Sequence, residues 1–231
     1  MARPAYQAEK ARLEQDVLEM VSRVEAMVVK SVDALASLDT AMAMEVMRSD
    51  DEIDRQDIEI EQACLRMLAL QQPMASDLRE IGTVLKIITD IERIGDLSVD
   101  LAKITLKIDA EMGSTNYVDI PQMAVHARAM LRNSIQAFVQ RDTAFLAEIA
   151  SAEETVDGLY RELRSQIHDY MRAQPSQVVA ASWMLLAVHH LERIADHAVN
   201  IAERVGFMVT GELKQLSRDI PANRPETGDS L

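Results

Sequence analysis

Ile91-Glu92-Arg93-Ile94-Gly95-Asp96 comes back as Leu191-Glu192-Arg193-Ile194-Ala195-Asp196, 100 residues further on. The repetition extends upstream at an offset of 103, where Ala26/Ala129, Met27/Met130, Ser31/Ser134, Ala34/Ala137, Asp39/Asp142, Thr40/Thr143, Ala41/Ala144, Glu45/Glu148 and Asp54/Asp157 match. A chain of 231 residues that carries one pattern twice is built from two similar units, stacked so that each buries its apolar face. The drop in offset places a three-residue length difference between the second and third elements of the two halves.

Those elements read as helices. Leu13, Val17, Met20, Val21, Val24, Met27, Val28, Val32 and Leu35 recur at intervals of three and four, the spacing of one face of an α-helix. The same reading predicts helices over 7–38, 41–72, 76–109, 120–141, 143–173 and 176–211. Asp39 or Thr40 would cap the second helix, and Ser76 or Asp77 the third. Gly113-Ser114-Thr115-Asn116 marks the join between halves. Only 7 Gly and 6 Pro interrupt the chain, and β-branched residues show no strand-like alternation. The expected fold is all-α: two tandem, pseudo-repeated three-helix bundles, elongated, since a 35-residue helix is about 50 Å long. The first repeat spans 7–112, the second 118–213, and a flexible tail follows over 214–231.

Composition narrows the function. The net charge is −14, which opposes direct binding to nucleic acid and suits cations or basic protein surfaces. The longest nearly apolar run, 178–188, is far short of the roughly 20 residues a membrane span needs, and the N-terminus lacks the apolar segment of a signal peptide. The one cysteine, Cys64, leaves no intrachain disulfide and no Cys-rich zinc site. It sits among Ile60, Leu65 and Leu68 and reads as buried. A soluble, cytoplasmic protein is expected, docking at most peripherally on a membrane complex.

The chemistry lies in the carboxylates. Glu92 and Asp96 are four apart, so they share one helix face and repel each other by a few tenths of a kcal/mol. On a helical wheel with Glu92 at zero, Asp96 falls near about 40°, Thr89 near about 60° and Asp100 near about 80°. The apolar residues fill the arc from about 140° to 340°. Helix 6 puts Glu192, Asp196, Asn200 and His189 at the matching positions. The second helix of each half adds another pair, Asp50/Asp54 and Glu153/Asp157. If second and third helices pack together, four or more carboxylates converge in each half, and a di- or trivalent cation relieves their repulsion. All-oxygen ligation suits hard ions. Solvated surface acids are the ordinary explanation of any one such pair; the duplication is what raises the metal reading. Arg93 and Arg193 are placed to pair with these acids. His189 stands on the acidic column, whereas His190 and His197 lie at the core boundary and read as packing or hydrogen-bonding groups. Trp183 and the 14 Met read as core. No Gly-rich phosphate loop, Gly-x-Ser-x-Gly or His-Glu-x-x-His occurs, and no Glu is followed three residues later by His, the pair that di-iron bundles use.

Gln72-Pro73-Met74-Ala75-Ser76-Asp77-Leu78-Arg79, then Lys86-Ile87, then the two Glu-Arg-Ile-Gly/Ala-Asp segments, resemble the PhoU family over about residues 7 to 212. The resemblance implies two three-helix bundles with Glu/Asp-x-x-x-Asp motifs that hold multinuclear metal clusters of iron, Zn, Mn or Mg. It carries over to Asp50, Asp54, Glu92 and Asp96, with Asp100 extending the column, and to Glu153, Asp157, Glu192 and Asp196. It further implies a homodimeric negative regulator of phosphate uptake, linking the ATPase of the phosphate ABC transporter to a sensor histidine kinase. The second half departs from the first: Asn200 stands for Asp100, His189 for Thr89, and Gln174-Pro175-Ser176-Gln177-Val178 has lost the Ser-Asp-Leu-Arg. Whatever Asp77 and Arg79 do is therefore done once per chain. A signalling adaptor that catalyses nothing is the leading reading. A metal-dependent phosphohydrolase is the alternative, lacking a visible base or phosphate-binding Arg cluster, and metal storage comes third.

Overall fold

The computed structural model describes residues 3–71, 73–111, 115 and 118–216. Six long helices account for nearly all of them: α1 Arg3–Ser37, α2 Thr40–Gln71, α3 Ser76–Ala110, α4 Ile120–Gln140, α5 Phe145–Ala173 and α6 Val178–Thr210. No strand occurs among the described residues. Helix α1 starts earlier than its apolar spacing predicts, because Tyr6 also packs on the core and Pro4 falls in the first turn, where its missing N–H is not needed. Helix α6 starts later than predicted, after a 3₁₀ turn over Pro175–Gln177.

The duplication is visible in the turns. Helix α1 ends at Leu38 and α4 at Arg141, both in the left-handed conformation at φ 54°. In each case the next residue's amide donates back into the helix: Asp39 to the Ala34 carbonyl at 2.9 Å, Asp142 to the Ala137 carbonyl at 3.3 Å. The side chains of the same two aspartates then take up amides leading into the next helix. Asp39 Oδ1 accepts from the amides of Ala41 and Met42 at 3.0 Å, and Asp142 Oδ1 from that of Ala144 at 2.9 Å, satisfying amides that a helix start leaves open. The expected cap at Ser76 or Asp77 is not formed. Helix α3 opens after Ala75, itself left-handed at φ 48°, with no side-chain cap, and Asp77 turns to Lys10 instead.

Helices α1–α3 pack on one another, as do α4–α6, and the two bundles meet chiefly along α3 and α6, with a smaller contact between α1 and α4. The isoleucines of α3 (Ile87, Ile91, Ile94) and Leu191, Ile194 and Ile201 of α6 are fully buried in one continuous core. Helices α3 and α6 run antiparallel. Thr83 Oγ1 donates to the Arg204 carbonyl at 3.4 Å, and Asp90 meets His197 and Asn200 further along. Cys64 is buried, which pushes its thiol up to about 12, although Leu65 beside it is half exposed rather than packed around it. Of the predicted join, only Thr115 is described; it is buried, and its hydroxyl donates to the Ala36 carbonyl at 3.2 Å. Of the predicted tail, 217–231 lie outside the described residues. Leu216 packs on the core, and its amide donates to Glu203 Oε1 at 2.7 Å.

The segment that occurs once per chain ties the two bundles at one end. Glu80, 8% exposed, takes Lys10 of α1 at 2.7 Å on one oxygen and Arg141, past the end of α4, at 2.7 Å on the other. Asp77 adds a second contact to Lys10 at 3.4 Å. Arg79 Nε reaches the Met208 carbonyl at 3.5 Å, placing a cation at the C-terminus of α6, where the helix dipole favours it.

Candidate metal centres on the second and third helices

Repeat 1 brings its acids together where α2 crosses α3. Gly95 faces α2 and α1 at this level: a Cβ there would make ordinary contact with Ile53 at 3.5 Å and Val24 at 3.8 Å. With Ile53 directed inward, Asp50, Asp54 and Asp57 fall one turn apart along the neighbouring strip of α2 and face Glu92 and Asp96 of α3. Asp50 feels Asp54 and Asp96; Glu92 feels Asp96, Asp57 and Asp54. Burial first, and these like charges second, hold the carboxyls of Asp50 and Glu92 above their usual range. Asp57 is raised too, by burial and then by Glu61 and Asp54. Arg93 works in the opposite direction, with its guanidinium 2.6 Å from Asp96 and 3.4 Å from Glu92.

Repeat 2 builds the corresponding cluster from α5 and α6. Burial, then Asp157 and Asp196, raise Glu153. Glu192 is raised by burial and then by Asp196, with Asp157 adding to it, and Asp196 is raised by burial, with Asp157 adding to it. Arg193 Nε lies 3.7 Å from Asp196, a looser clamp than that of repeat 1. His189, which lowers both Glu192 and Asp196, places its Nδ1 3.2 Å from Glu192 Oε2.

Eight of the nine residues expected to hold metal thus fall into two clusters of four. Asp100 stands apart. It pairs with Lys103 at 2.9 Å and acts across the bundle interface on His190. Asp57 joins the cluster of repeat 1 and is passed over by the duplication, because its counterpart at offset 103 is Tyr160; its position one turn after Asp54 is the available signal. The pairing of Asp90 with His197 Nδ1 at 2.9 Å and with the Asn200 amide at 3.2 Å was likewise not foreseen.

The donors are carboxylate oxygens, the kind that hard cations take. Asp57 Oδ1 and Glu192 Oε2 are buried without a hydrogen-bond partner, one in each cluster. An orphaned buried carboxylate oxygen is costly, and a metal bond removes that cost. Among the described residues no group of three or more acidic, His or Cys side chains is gathered closely enough to hold a metal ion as it stands.

The comparison with known proteins agrees with the duplicated plan. The model of the PhoU domain matches twice, over residues 17–105 and 120–205. The chain belongs to the PhoU family. Over 218 residues it is 32% identical to the phosphate-specific transport system accessory protein PhoU homolog of Clostridium acetobutylicum, covering 94% of this chain and all of that one. The homolog of the same description from Synechocystis sp. is 35% identical over 201 residues, covering 87% of this chain and 89% of its own. Crystal structures agree: PhoU from Pseudomonas aeruginosa superposes with a TM-score of 0.85 at 33% identity, over 90% of this chain and 100% of that one. The phosphate transport system regulatory protein PhoU from Streptococcus pneumoniae gives a TM-score of 0.83 at 32% identity, over 90% and 99%. No helix among the described residues of this PhoU-family chain is long and apolar enough to cross a membrane.

Proposed function

We propose that this chain is a metal-binding negative regulator of phosphate uptake and of the phosphate-starvation response. It acts by binding and catalyses no reaction. Two lines support the reading. The relatives are named as phosphate transport accessory proteins over nearly their whole length, and each repeat holds a carboxylate cluster with one buried oxygen that accepts no hydrogen bond. The second observation carries the mechanism. Asp50, Asp54, Asp57, Glu92 and Asp96 would hold metal in repeat 1, and Glu153, Asp157, Glu192 and Asp196 in repeat 2. A bound cation supplies positive charge that reverses the local field. The face then attracts phosphate or an anionic protein surface, which a chain of net charge −14 otherwise repels. The partners in this reading are the ATPase of the phosphate ABC transporter and a sensor histidine kinase, met in the cytoplasm by a homodimer.

The test is the Glu92→Ala/Asp96→Ala variant, scored for metal per chain by elemental analysis and for repression of phosphate uptake in cells. About half the metal and a loss of repression are expected. Unchanged metal content together with unchanged repression would overturn the proposal.

A further inference from the structure

Helices α1 and α2 line a groove along the first bundle. Its wide end, with a volume of about 660 Å³, runs from Glu9 and Leu70 to Glu52. A narrower end of about 250 Å³ continues from Glu52 to Lys30 and Val46. Arg23 stands at the joint, 2.8 Å from Glu19 and 3.8 Å from Glu52. From Glu9 to Lys30 the groove is about 32 Å long at 1.5 Å per residue, the length of a helix of about 20 residues. It is apart from the carboxylate clusters: on the wheel of α2, Glu59, Ala63 and Arg66 lie about 120–180° from Asp54. The wide end also occurs once per chain. Helix α1 has 35 residues and α4 has 21, and at the offset of 103 Ile120 matches Val17. The stretch of α1 that brings Glu9, Arg12 and Asp16 to the groove therefore has no counterpart in α4.

Three properties decide what fits there. Charge is divided along the length: five carboxylates face Arg12 and Arg66 at the wide end, whereas Arg23 and Lys30 face Glu52 alone at the narrow end. Burial raises the carboxyl of Asp16, Arg12 lowers it, and Glu19 and Glu59 raise it further, so a cation laid between the helices here relieves both. The surface between the charges is small or apolar: Ala63 and Ala26 leave room for a close approach, and Leu70 at the mouth is 65% exposed. Third, Gln56 Oε1 is buried in the wide end and accepts no hydrogen bond among the described residues. A buried acceptor left so is costly, and an incoming ammonium or guanidinium satisfies it while meeting Asp16 and Glu59.

We propose that the α1–α2 groove is a docking site for an amphipathic helix of a partner protein, one per chain, with its basic half over Asp16 and Glu59 and its acidic half over Arg23 and Lys30. Such a helix buries its apolar stripe in the groove and completes a four-helix arrangement with the first bundle. A small polycation would answer the acids and leave Leu70 and the basic end unused. The docking does not depend on metal at the clusters.

The probe is a labelled synthetic helical peptide of about 20 residues, with Leu and Ala on one face, Lys flanking it in one half and Glu in the other. Its binding to the full chain is read by fluorescence anisotropy. Asp16→Lys/Glu59→Lys should weaken it at least about tenfold, and a peptide with Glu in place of Lys should recover the loss on this variant. Glu162→Lys/Asp169→Lys, at exposed positions of α5, changes the net charge equally and should alter binding less than about twofold. The methyl resonance of Met67, in the floor of the wide end, should shift in the wild type, a readout that needs no variant to fold. Absence of binding up to about 1 mM, equal weakening by the two charge reversals, or binding with the Met67 methyl unmoved overturns the proposal. So does a dimer of this chain that Ala63→Trp breaks apart, which gives the groove to a second copy. Metal content and repression, which test the proposed function, are read separately from all of these outcomes.

Discussion

Replacing Glu92 by Gln should stabilise the metal-free protein and destabilise the metal-loaded one, relative to wild type. Glu92 is mostly buried, with 19% of its side chain exposed. Three like charges act on it, Asp96 on its own helix and Asp54 and Asp57 across from α2. A like-charge pair at this kind of spacing costs a few tenths of a kcal/mol. The one favourable ionic partner it gives up is Arg93 at 3.4 Å, and Arg93 keeps its shorter contact with Asp96 at 2.6 Å. The net gain is about 0.5–1 kcal/mol, or about 1–4 °C in Tm for a chain of this size. With Mn²⁺ at a hundred times its Kd, each intact site contributes about 2.7 kcal/mol, roughly 5–11 °C, and the variant forfeits much of that at repeat 1. Calorimetric melts in chelator and in excess Mn²⁺ should therefore cross, with the variant above wild type in chelator and below it in metal. If the variant melts lower in both conditions, Glu92 is a structural residue and repulsion does not govern its site.

The gain in chelator should also depend on pH. The folded state raises the carboxyl of Glu92, so it binds that proton more tightly than the unfolded chain does. The stabilisation this gives is complete below the ordinary value of 4.5 and is lost as pH rises through the raised one. The advantage of Glu92→Gln is therefore greatest at neutral pH and fades on acidification towards pH 4.5, which melts across that range will show. His190, held below its usual range by burial, is common to both proteins and cancels. At the other end of the bundle, Glu80→Ala leaves Lys10, only 15% exposed, with the longer contact to Asp77 at 3.4 Å alone. Loss of about 2–3 kcal/mol is expected by denaturant titration, under the 3–5 of a fully buried pair because Arg141 reaches water, with Glu80→Gln in between. Gly95→Ala puts a methyl in ordinary contact with Ile53 at 3.5 Å at a place where repeat 2 already has Ala195. A gain of about 0.5–1 kcal/mol, from helix propensity, should appear in the same titration.

Helix number and order were legible because the apolar residues recur at three and four through every element, and because two halves had to give the same answer. Cys64 was legible as a buried thiol for the same reason. The helix ends were less so. Nothing in Ser76-Asp77 reveals that Asp77 is engaged by Lys10 and so unavailable as a cap, since that contact spans 67 positions in sequence. The acidic columns could be placed on their helices from the wheel alone. Which of their members meet depends on the register of α2 against α3, which packs the buried Ile53 over Gly95. Asp100 shows the limit of the wheel: about 40° from Asp96 by the helical repeat, it already looks towards α6 and His190. Asp57 was hidden by the same duplication that reveals the others, because its counterpart is not an acid.

The pairing of α3 with α6 explains why the bundles hold a fixed register with two acidic clusters on their helices. Asp90 precedes Glu92 by two residues and contacts His197, which follows Asp196 by one. Asp100 stands in the reciprocal position, one turn after Asp96, and faces His190, two before Glu192. The contact of Asp90 with Asn200 and the approach of His190 to Asp100 are related by the same offset of 100 as the repeats themselves. Each of the central helices therefore carries residues of an acidic cluster on one face and, within a turn, half of an inter-bundle polar contact on the next. Sliding α3 along α6 by one turn would separate Asp90 from both His197 and Asn200, leaving a carboxylate that is 18% exposed without its partners. That is a larger loss than any exposed ion pair supplies. The neighbouring faces of α3 and α6 are thus locked by contacts that do not depend on metal.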